Sequence, residues 1–297
     1  MSKRLEILAP AGDAASLDAA LRAGADAVYF GLDCGFNARA RAESFHVSDL
    51  DALVDQIHDY GRRGYLTLNT LVFDDELEPI AALIGHAAEA GVDAIIVQDM
   101  AVARLAKQIA PELRLHASTQ TTCTDADAIQ LLAELGMKRI TLARELSLEH
   151  VALLARSSDL ELEVFAHGAL CIAYSGQCLT SEAIGGRSAN RGACAQACRL
   201  PYDLVVDGVL HDVADAAYLL SPKDLDASRM LPELIASGVH AIKIEGRLKG
   251  PEYVAATTRL YRRALEHAMD THSGERAMHT HSGERAMHTH STGAELA

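Results

Sequence analysis

Four cysteines fall within 28 residues of this chain, in the pattern Cys171-x6-Cys178-x15-Cys194-x3-Cys198. Arg187, Arg191 and Arg199 lie among them, with Gly-rich turns between. Nearby guanidinium groups favour thiolate over thiol, and thiolate is the form that ligates metals and attacks electrophiles. A group of four suits zinc or an iron–sulfur cluster. Structural zinc sites favour short knuckles, with roughly two to four residues between ligands. Gaps of six and fifteen residues fit an iron–sulfur cluster better, with zinc as the alternative. Buried, unligated thiols are the plainest reading. That reading suits Cys34 and Cys123, which stand alone, better than four cysteines in a Gly/Ser/Arg-rich loop. A nucleophilic pairing of Cys171 or Cys178 with His167 would leave three clustered cysteines unexplained.

A second set of polar residues follows the apolar runs: Asn69, Gln98-Asp99, His116 with Ser118-Thr-Gln120, Arg144-Glu145, His167, and Lys243 with Glu245 and Arg247. Ion pairs and helix caps account for any one of them. Several converging on one face would make a binding site. In that reading Arg144, His167, Lys243 and Arg247 hold an anion, because fixed cations match carboxylates and phosphates. Asn69, His116 and Gln120 contact the substrate. Glu145, His167 and Glu245 are the catalytic candidates, the two carboxylates for proton transfer. No Gly-x-Ser-x-Gly elbow and no His-Glu-x-x-His motif is present, so hydrolysis by a serine or by zinc-bound water has no signature here.

What must position these residues is a repeated unit. Short apolar runs at 5–9, 27–30, 65–69, 94–97, 114–117, 139–142, 162–167 and 241–245 alternate with amphipathic stretches such as 14–22, 49–62, 76–90 and 146–156. Most runs are continuous, as in parallel strands covered on both faces. Strand followed by helix, at intervals of roughly 25–35 residues, reads as βαβ units. Eight such units predict an α/β fold, a closed (β/α)8 TIM-like barrel. The series is interrupted once, between the seventh and eighth strands, by the segment that holds all four clustered cysteines. An excursion from the C-terminal end of a barrel strand opens on the active-site face. The chain thus divides into a barrel over 1–268, with a Cys-rich insertion at 168–240, and a tail at 269–297.

That tail repeats itself: 272–280 and 281–289 are identical copies of His-Ser-Gly-Glu-Arg-Ala-Met-His-Thr. Polar low-complexity repeats bury too little apolar surface to order themselves, so it reads as disordered. No apolar run approaches the roughly 18 residues that a membrane span needs. The first residues lack a signal-peptide stretch. A cytoplasmic location is expected, where clustered cysteines ligate metal or react. A net charge of −14 argues against general nucleic-acid affinity, which would need a local basic patch. With no Trp and 4% aromatic residues, a broad base-stacking platform is not expected.

Glu163-Val-Phe-Ala-His-Gly-Ala-Leu-Cys171, Tyr174-Ser-Gly-Gln-Cys178, Gly186-Arg-Ser-Ala-Asn-Arg-Gly192, Cys194-Ala-Gln-Ala-Cys-Arg-Leu-Pro-Tyr202 and Lys243-Ile-Glu-Gly-Arg247 resemble the signature of the collagenase-like peptidase family, peptidase family U thirty-two. Leu8-Ala-Pro-Ala-Gly12, Asp74-Asp-Glu-Leu-Glu-Pro79, Val97-Gln-Asp-Met100, His116-Ala-Ser-Thr-Gln120 and Leu142-Ala-Arg-Glu-Leu146 extend the resemblance over 4–268. It implies a four-iron four-sulfur cluster and, in several members, oxygen-independent hydroxylation of transfer RNA, ribosomal RNA or a ubiquinone precursor. For the RNA enzymes it implies an oxygen source linked to prephenate. Three of the stretches are most similar to the branch that makes 5-hydroxycytidine in large-subunit ribosomal RNA. The implied function is hydroxylation of a pyrimidine in RNA, with RNA and a prephenate-like small molecule as partners. The alternatives are a collagenase-like peptidase, or a subunit of a quinone-precursor hydroxylase working with a related-family partner subunit. Some relatives take the fourth cluster ligand from a cysteine after a Ser-Lys-Asp-Leu-like stretch. Here Ser221-Pro-Lys-Asp-Leu225 is followed by Asp226, and the resemblance then implies Cys198 as the fourth ligand.

Overall fold

The structure, a computed structural model, describes residues 5–38, 45–214, 216–246 and 249–286, with side chains through Met269. Eight strands close into a parallel barrel: β1 (Glu6–Pro10), β2 (Ala27–Phe30), β3 (Arg63–Leu68), β4 (Ala94–Val97), β5 (Arg114–Ala117), β6 (Met137–Thr141), β7 (Glu161–Gly168) and β11 (Ala241–Ile244). Each pairs with the next, and β11 pairs back onto β1. This is the (β/α)8 barrel that the repeated unit predicts.

Helix starts are set by short polar side chains that satisfy the free N–H groups of the first turn. Asp13 accepts from the Ser16 N–H at 2.6 Å and opens α1 (Ala14–Arg22). Asp99, Asp125 and Ser147 do the same for α4 (Met100–Ile109), α5 (Ala126–Glu134) and α6 (Leu148–Arg156). Asp99 also accepts from the Val72 N–H at 3.1 Å, so this rim residue is a cap and a loop tie. α2 (Leu50–Asp59), α3 (Leu77–Glu89), α8 (Leu231–Ser237) and the start of α9 (Pro251–Ala286) complete the outer layer. Ile7, Val28, Leu66, Ile95, Leu115, Ile140, Leu162 and Ile242 face those helices and are fully buried. Each such side chain contributes on the order of 2 kcal/mol, which puts the main core between strands and helices.

The barrel interior is built differently. Alternate strand residues point inward, and the small apolar cluster there comprises Leu8, Ala27, Tyr29, Tyr65, Ala94 and Ile96. Glu6, His116, Arg139, Glu163 and Lys243 are buried as well. The continuous apolar run expected of a doubly covered strand therefore holds for β2 and β4 but fails for β6 and β7, which carry Arg139, Glu161 and Glu163.

After β7 the chain crosses the C-terminal mouth before returning to β11. The insertion holds α7 (Thr180–Gly185), a hairpin of β8 (Leu204–Val206) and β9 (Val209–His211), and β10 (Leu225–Asp226), which pairs antiparallel with the end of β7. Among the described residues no helix is long and apolar enough to cross a membrane.

α9 buries Val254, Thr258, Tyr261 and Leu265, and its Arg262 binds the Gly24 carbonyl and Asp26. The helix continues to Ala286, through the first nonapeptide copy. Among the described residues its buried positions end at Leu265. Deleting 271–297 is therefore expected to leave soluble yield and melting temperature nearly unchanged. A lower melting temperature in the truncated protein would show that the repeats pack against the barrel.

Candidate active site

Where the insertion meets the barrel mouth it covers a cavity of about 490 Å³. Tyr29, Thr67, Phe165 and Lys243 line it from the barrel interior, and Asn69, Ser118, Gln120, Arg144 and Glu245 from the strand ends. Cys171, Cys178, Cys194 and Cys198 line it from the insertion, and none is in a disulfide. Four cations, Arg144, Arg199, Lys243 and Lys249, stand on the wall against two carboxylates, Asp224 and Glu245. In a chain of net charge −14, such a wall suits an anionic ligand.

The cysteine loop is held to the barrel by a dense set of hydrogen bonds around Ser175. Its N–H and hydroxyl donate to the two oxygens of Glu145, at 3.1 and 2.9 Å. The Ser175 hydroxyl oxygen accepts from the Arg144 N–H at 3.2 Å, and its carbonyl accepts from the Thr122 hydroxyl at 2.7 Å. Gly176, at φ +74°, lies so close to Gln120 that a Cβ would stand 2.1 Å from its carbonyl oxygen; only glycine fits. On the other side Arg144 donates to the Ala169 carbonyl at 2.9 Å and stacks on Phe165 at 3.8 Å. Arg199 donates to the Leu170 carbonyl at 3.0 Å and to the Ser221 hydroxyl at 2.9 Å. Further along, Arg191 grips Glu76 through both guanidinium nitrogens, at 2.7 and 2.6 Å, and lowers the pKa of that carboxyl to about 2. Cys171 and Cys178 are thus placed by the barrel itself.

Burial pushes the Cys198 thiol up; Cys171, Cys194 and Cys178 act the same way, against Arg199. The four sulfurs therefore feel one another. Among the described residues, no three Cys, His, Asp or Glu side chains are already placed to hold a metal ion. The fit is one of donor type: four thiols on one cavity, with no imidazole on its wall among the described residues, suit an iron–sulfur cluster or zinc.

Inside the barrel runs a chain of charges. Arg139 reaches Glu6 at 2.6 Å, Glu161 at 2.8 Å and Glu163 at 3.4 Å. Glu163 accepts from the Thr141 hydroxyl at 2.9 Å and from the Lys243 ammonium at 3.3 Å. Burial pushes the Glu163 carboxyl up, but Lys243 and Arg139 outweigh it and hold it below the ordinary carboxylate range. The ammonium of Lys243, 4.5 Å from the Tyr29 ring centre, is anchored from beneath.

Three residues expected in the site lie elsewhere. His116 is 2% exposed inside the barrel, edge-on to Tyr65 at 4.7 Å, and is absent from the cavity wall. Position 116 is within β5 rather than past its end, so its side chain follows the strand alternation inward. Burial, with Arg139 and other cations, holds it well below its ordinary pKa and neutral. His167 is turned away from the cavity toward α9, 3.3 Å from the Tyr261 hydroxyl and 3.8 Å from Asp226. A register shift between Lys243 and Ile244 accompanies that turn; such irregularities re-aim side chains. Glu145 also lies off the cavity wall, with both oxygens on Ser175, as a tie rather than an open carboxylate. Asn69, Gln120, Arg144, Lys243 and Glu245 line the cavity. Arg247 lies outside the described residues. Sequence reasoning passed over Ser175, Phe165 and the interior pair Arg139 and Glu163. A signal for the last was present: Glu161-x-Glu163 and Arg139-x-Thr141 put polar residues at period two in otherwise apolar strands.

Fold and site together define a (β/α)8-barrel protein that presents four free thiols and a surplus of cations over its C-terminal mouth. The chain belongs to peptidase family U32, whose sequence pattern matches residues 12–293. It is 47% identical over 265 residues to the 23S rRNA 5-hydroxycytidine C2501 synthase of Escherichia coli (strain K12), covering 89% of this chain and 40% of that one. It is 35% identical to the tRNA hydroxylation protein P1 of Bacillus subtilis (strain 168), covering 90% of this chain and 64% of the relative. A protein of Porphyromonas gingivalis (strain ATCC BAA-308 / W83) named collagenase is 39% identical, over 88% of this chain and 65% of its own. The chain thus spans between two-fifths and two-thirds of the length of these relatives. A solved U32 peptidase shares the fold, with a TM-score of 0.58 at 13% identity over 84% of this chain and 96% of that one.

Proposed function

We propose that this protein hydroxylates a pyrimidine base in RNA without molecular oxygen, using a four-iron four-sulfur cluster and an oxygen source related to prephenate. The observation that carries the reading is the cavity, where four free cysteines and four cations line one space at the barrel mouth. The similarity to hydroxylases of ribosomal and transfer RNA supports the substrate class. Cys171, Cys178, Cys194 and Cys198 would hold the cluster. When bound, it would supply a path for one-electron transfer; turning a ring C–H into C–OH with oxygen from the small molecule's hydroxyl or carboxyl group releases two electrons, which an external electron acceptor must take up.

The chain's own residues bind and orient. Lys243, fixed by Glu163, and Arg144, fixed by the Ala169 carbonyl and the Phe165 ring, receive the carboxylates of the small molecule. Asn69 and Gln120 offer amide groups to the polar edge of a base, as bases outside a helix are read. Glu245, a buried carboxylate on the wall, takes the ring proton. A base paired in a helix cannot reach such a cavity, so the substrate is unpaired or partly assembled RNA.

The test is anaerobic incubation of cluster-loaded protein with RNA that lacks the mark, followed by nucleoside mass analysis. A pyrimidine nucleoside one oxygen heavier is expected. Cleavage of denatured collagen, with the RNA unchanged, would move the assignment to a peptidase.

A further inference from the structure

Tyr174 stands on the lip of the cavity, and at 70% exposure no large apolar side chain among the described residues is more open. Its hydroxyl has no hydrogen-bond partner among the described residues, so neither burial nor polar bonding explains the ring. Its backbone, by contrast, is fixed. The Tyr174 carbonyl accepts from the Gln177 N–H at 3.1 Å. The next two residues are Ser175, bonded to Glu145, and Gly176, seated on Gln120. The ring is therefore presented by a rigid segment between Cys171 and Cys178. Ile172, 53% exposed, lines the same cavity.

We propose that Tyr174 is the stacking platform for the unpaired nucleobase next to the one that enters the cavity. This rests on the RNA reading above and adds a subsite to it. Single-stranded nucleic acid is held by aromatic faces combined with cations along the backbone. Both are at this mouth, the cations being Arg199 and Lys249. A rigid aromatic ring with two torsions also costs little side-chain entropy to hold. Phe73, 61% exposed, does not serve in the same way: Arg191 covers one face at 4.3 Å, and Asp74, Asp75 and Glu76 follow it, poor company for phosphate. The platform is one ring rather than a broad surface, in keeping with 4% aromatic residues.

The experiment measures anaerobic binding of a short fluorescent single-stranded RNA by the cluster-loaded protein, its Tyr174→Phe variant and its Tyr174→Leu variant. Tyr174→Phe is expected to bind like the wild type. Tyr174→Leu is expected to bind roughly ten- to hundredfold more weakly, as when one base–aromatic contact is removed. An RNA with abasic sugars on both sides of the target pyrimidine should bind the wild type that much more weakly, and Tyr174→Leu should then cost nothing further. The wild-type comparison of intact and abasic RNA needs no variant. Equal binding of intact and abasic RNA by the wild type would overturn the platform, as would an equal loss from Tyr174→Leu on both RNAs, which would point to an apolar protein contact. Wild type that binds no RNA at all would instead reject the RNA reading, and the platform with it.

Discussion

Changing any one of Cys171, Cys178, Cys194 or Cys198 to Ala is expected to remove most of the iron, and with it the brown colour, from anaerobically purified protein. The wild type should carry about four irons per chain, as a cysteine-ligated cubane requires. Cys123→Ala and Cys34→Ala should keep both iron and colour. Cys123, which is buried, and Cys34 lie off the cavity wall that the other four share. The four variants should still fold, because the loop is tied by Glu145, Arg144, Arg199 and Arg191 through protein bonds alone. In that respect the site differs from small zinc domains that unfold without their metal. Stoichiometric zinc in colourless wild-type protein would contradict the cluster. Iron retained in Cys198→Ala but lost in Cys34→Ala would show that the fourth ligand is misassigned.

Arg139→Met is expected to cost about 3–5 kcal/mol of stability, the loss found when one partner of a buried ion pair is removed. Arg139 is 3% exposed and binds Glu6, Glu161 and Glu163, so its removal leaves carboxylates inside the barrel with too few partners. Against a total stability of about 5–15 kcal/mol, that is a severe change. Its pH dependence has a definite sign. In the wild type the Glu163 carboxyl is held below its ordinary value, so its contribution is present at neutral pH and lost only as pH falls through the lowered value. In the variant, burial faces one cation rather than two and the shift moves upward. A raised carboxyl destabilises at neutral pH and is relieved by protonation. The gap in melting temperature between wild type and Arg139→Met should therefore narrow from pH 7.5 to pH 5. A gap that stays constant would mean that lost packing, not charge, sets the cost.

The elements legible in the sequence are those governed by local rules. Eight apolar runs and their capped helices give the barrel, because strand burial and N-capping are written in a few adjacent residues. The cysteines were legible because four thiols in one loop have few other uses. What escaped depends on closure. Glu6 and Arg139 are separated by 133 positions and meet only when the barrel shuts, so nothing in the sequence pairs them. His167 reads as a catalytic candidate at the end of the seventh strand, yet the register shift at Lys243 turns it toward Tyr261. Glu145 looked like a free acid beside Arg144, and only the folded loop brings Ser175 onto both its oxygens. In each case the residue type is legible and its partner is not, since the partners, Arg139 on β6, Tyr261 on α9 and Ser175 in the insertion, lie far away in sequence.

The central claim is that the cavity modifies RNA. Mass analysis of nucleosides from separately purified ribosomal and transfer RNA, in cells with and without this protein, tests it most directly. The account predicts the loss of one hydroxylated pyrimidine from one RNA class, its return on complementation with the wild type, and its continued absence on complementation with Cys194→Ala. Identical nucleosides in both strains, in both RNA classes, would contradict it.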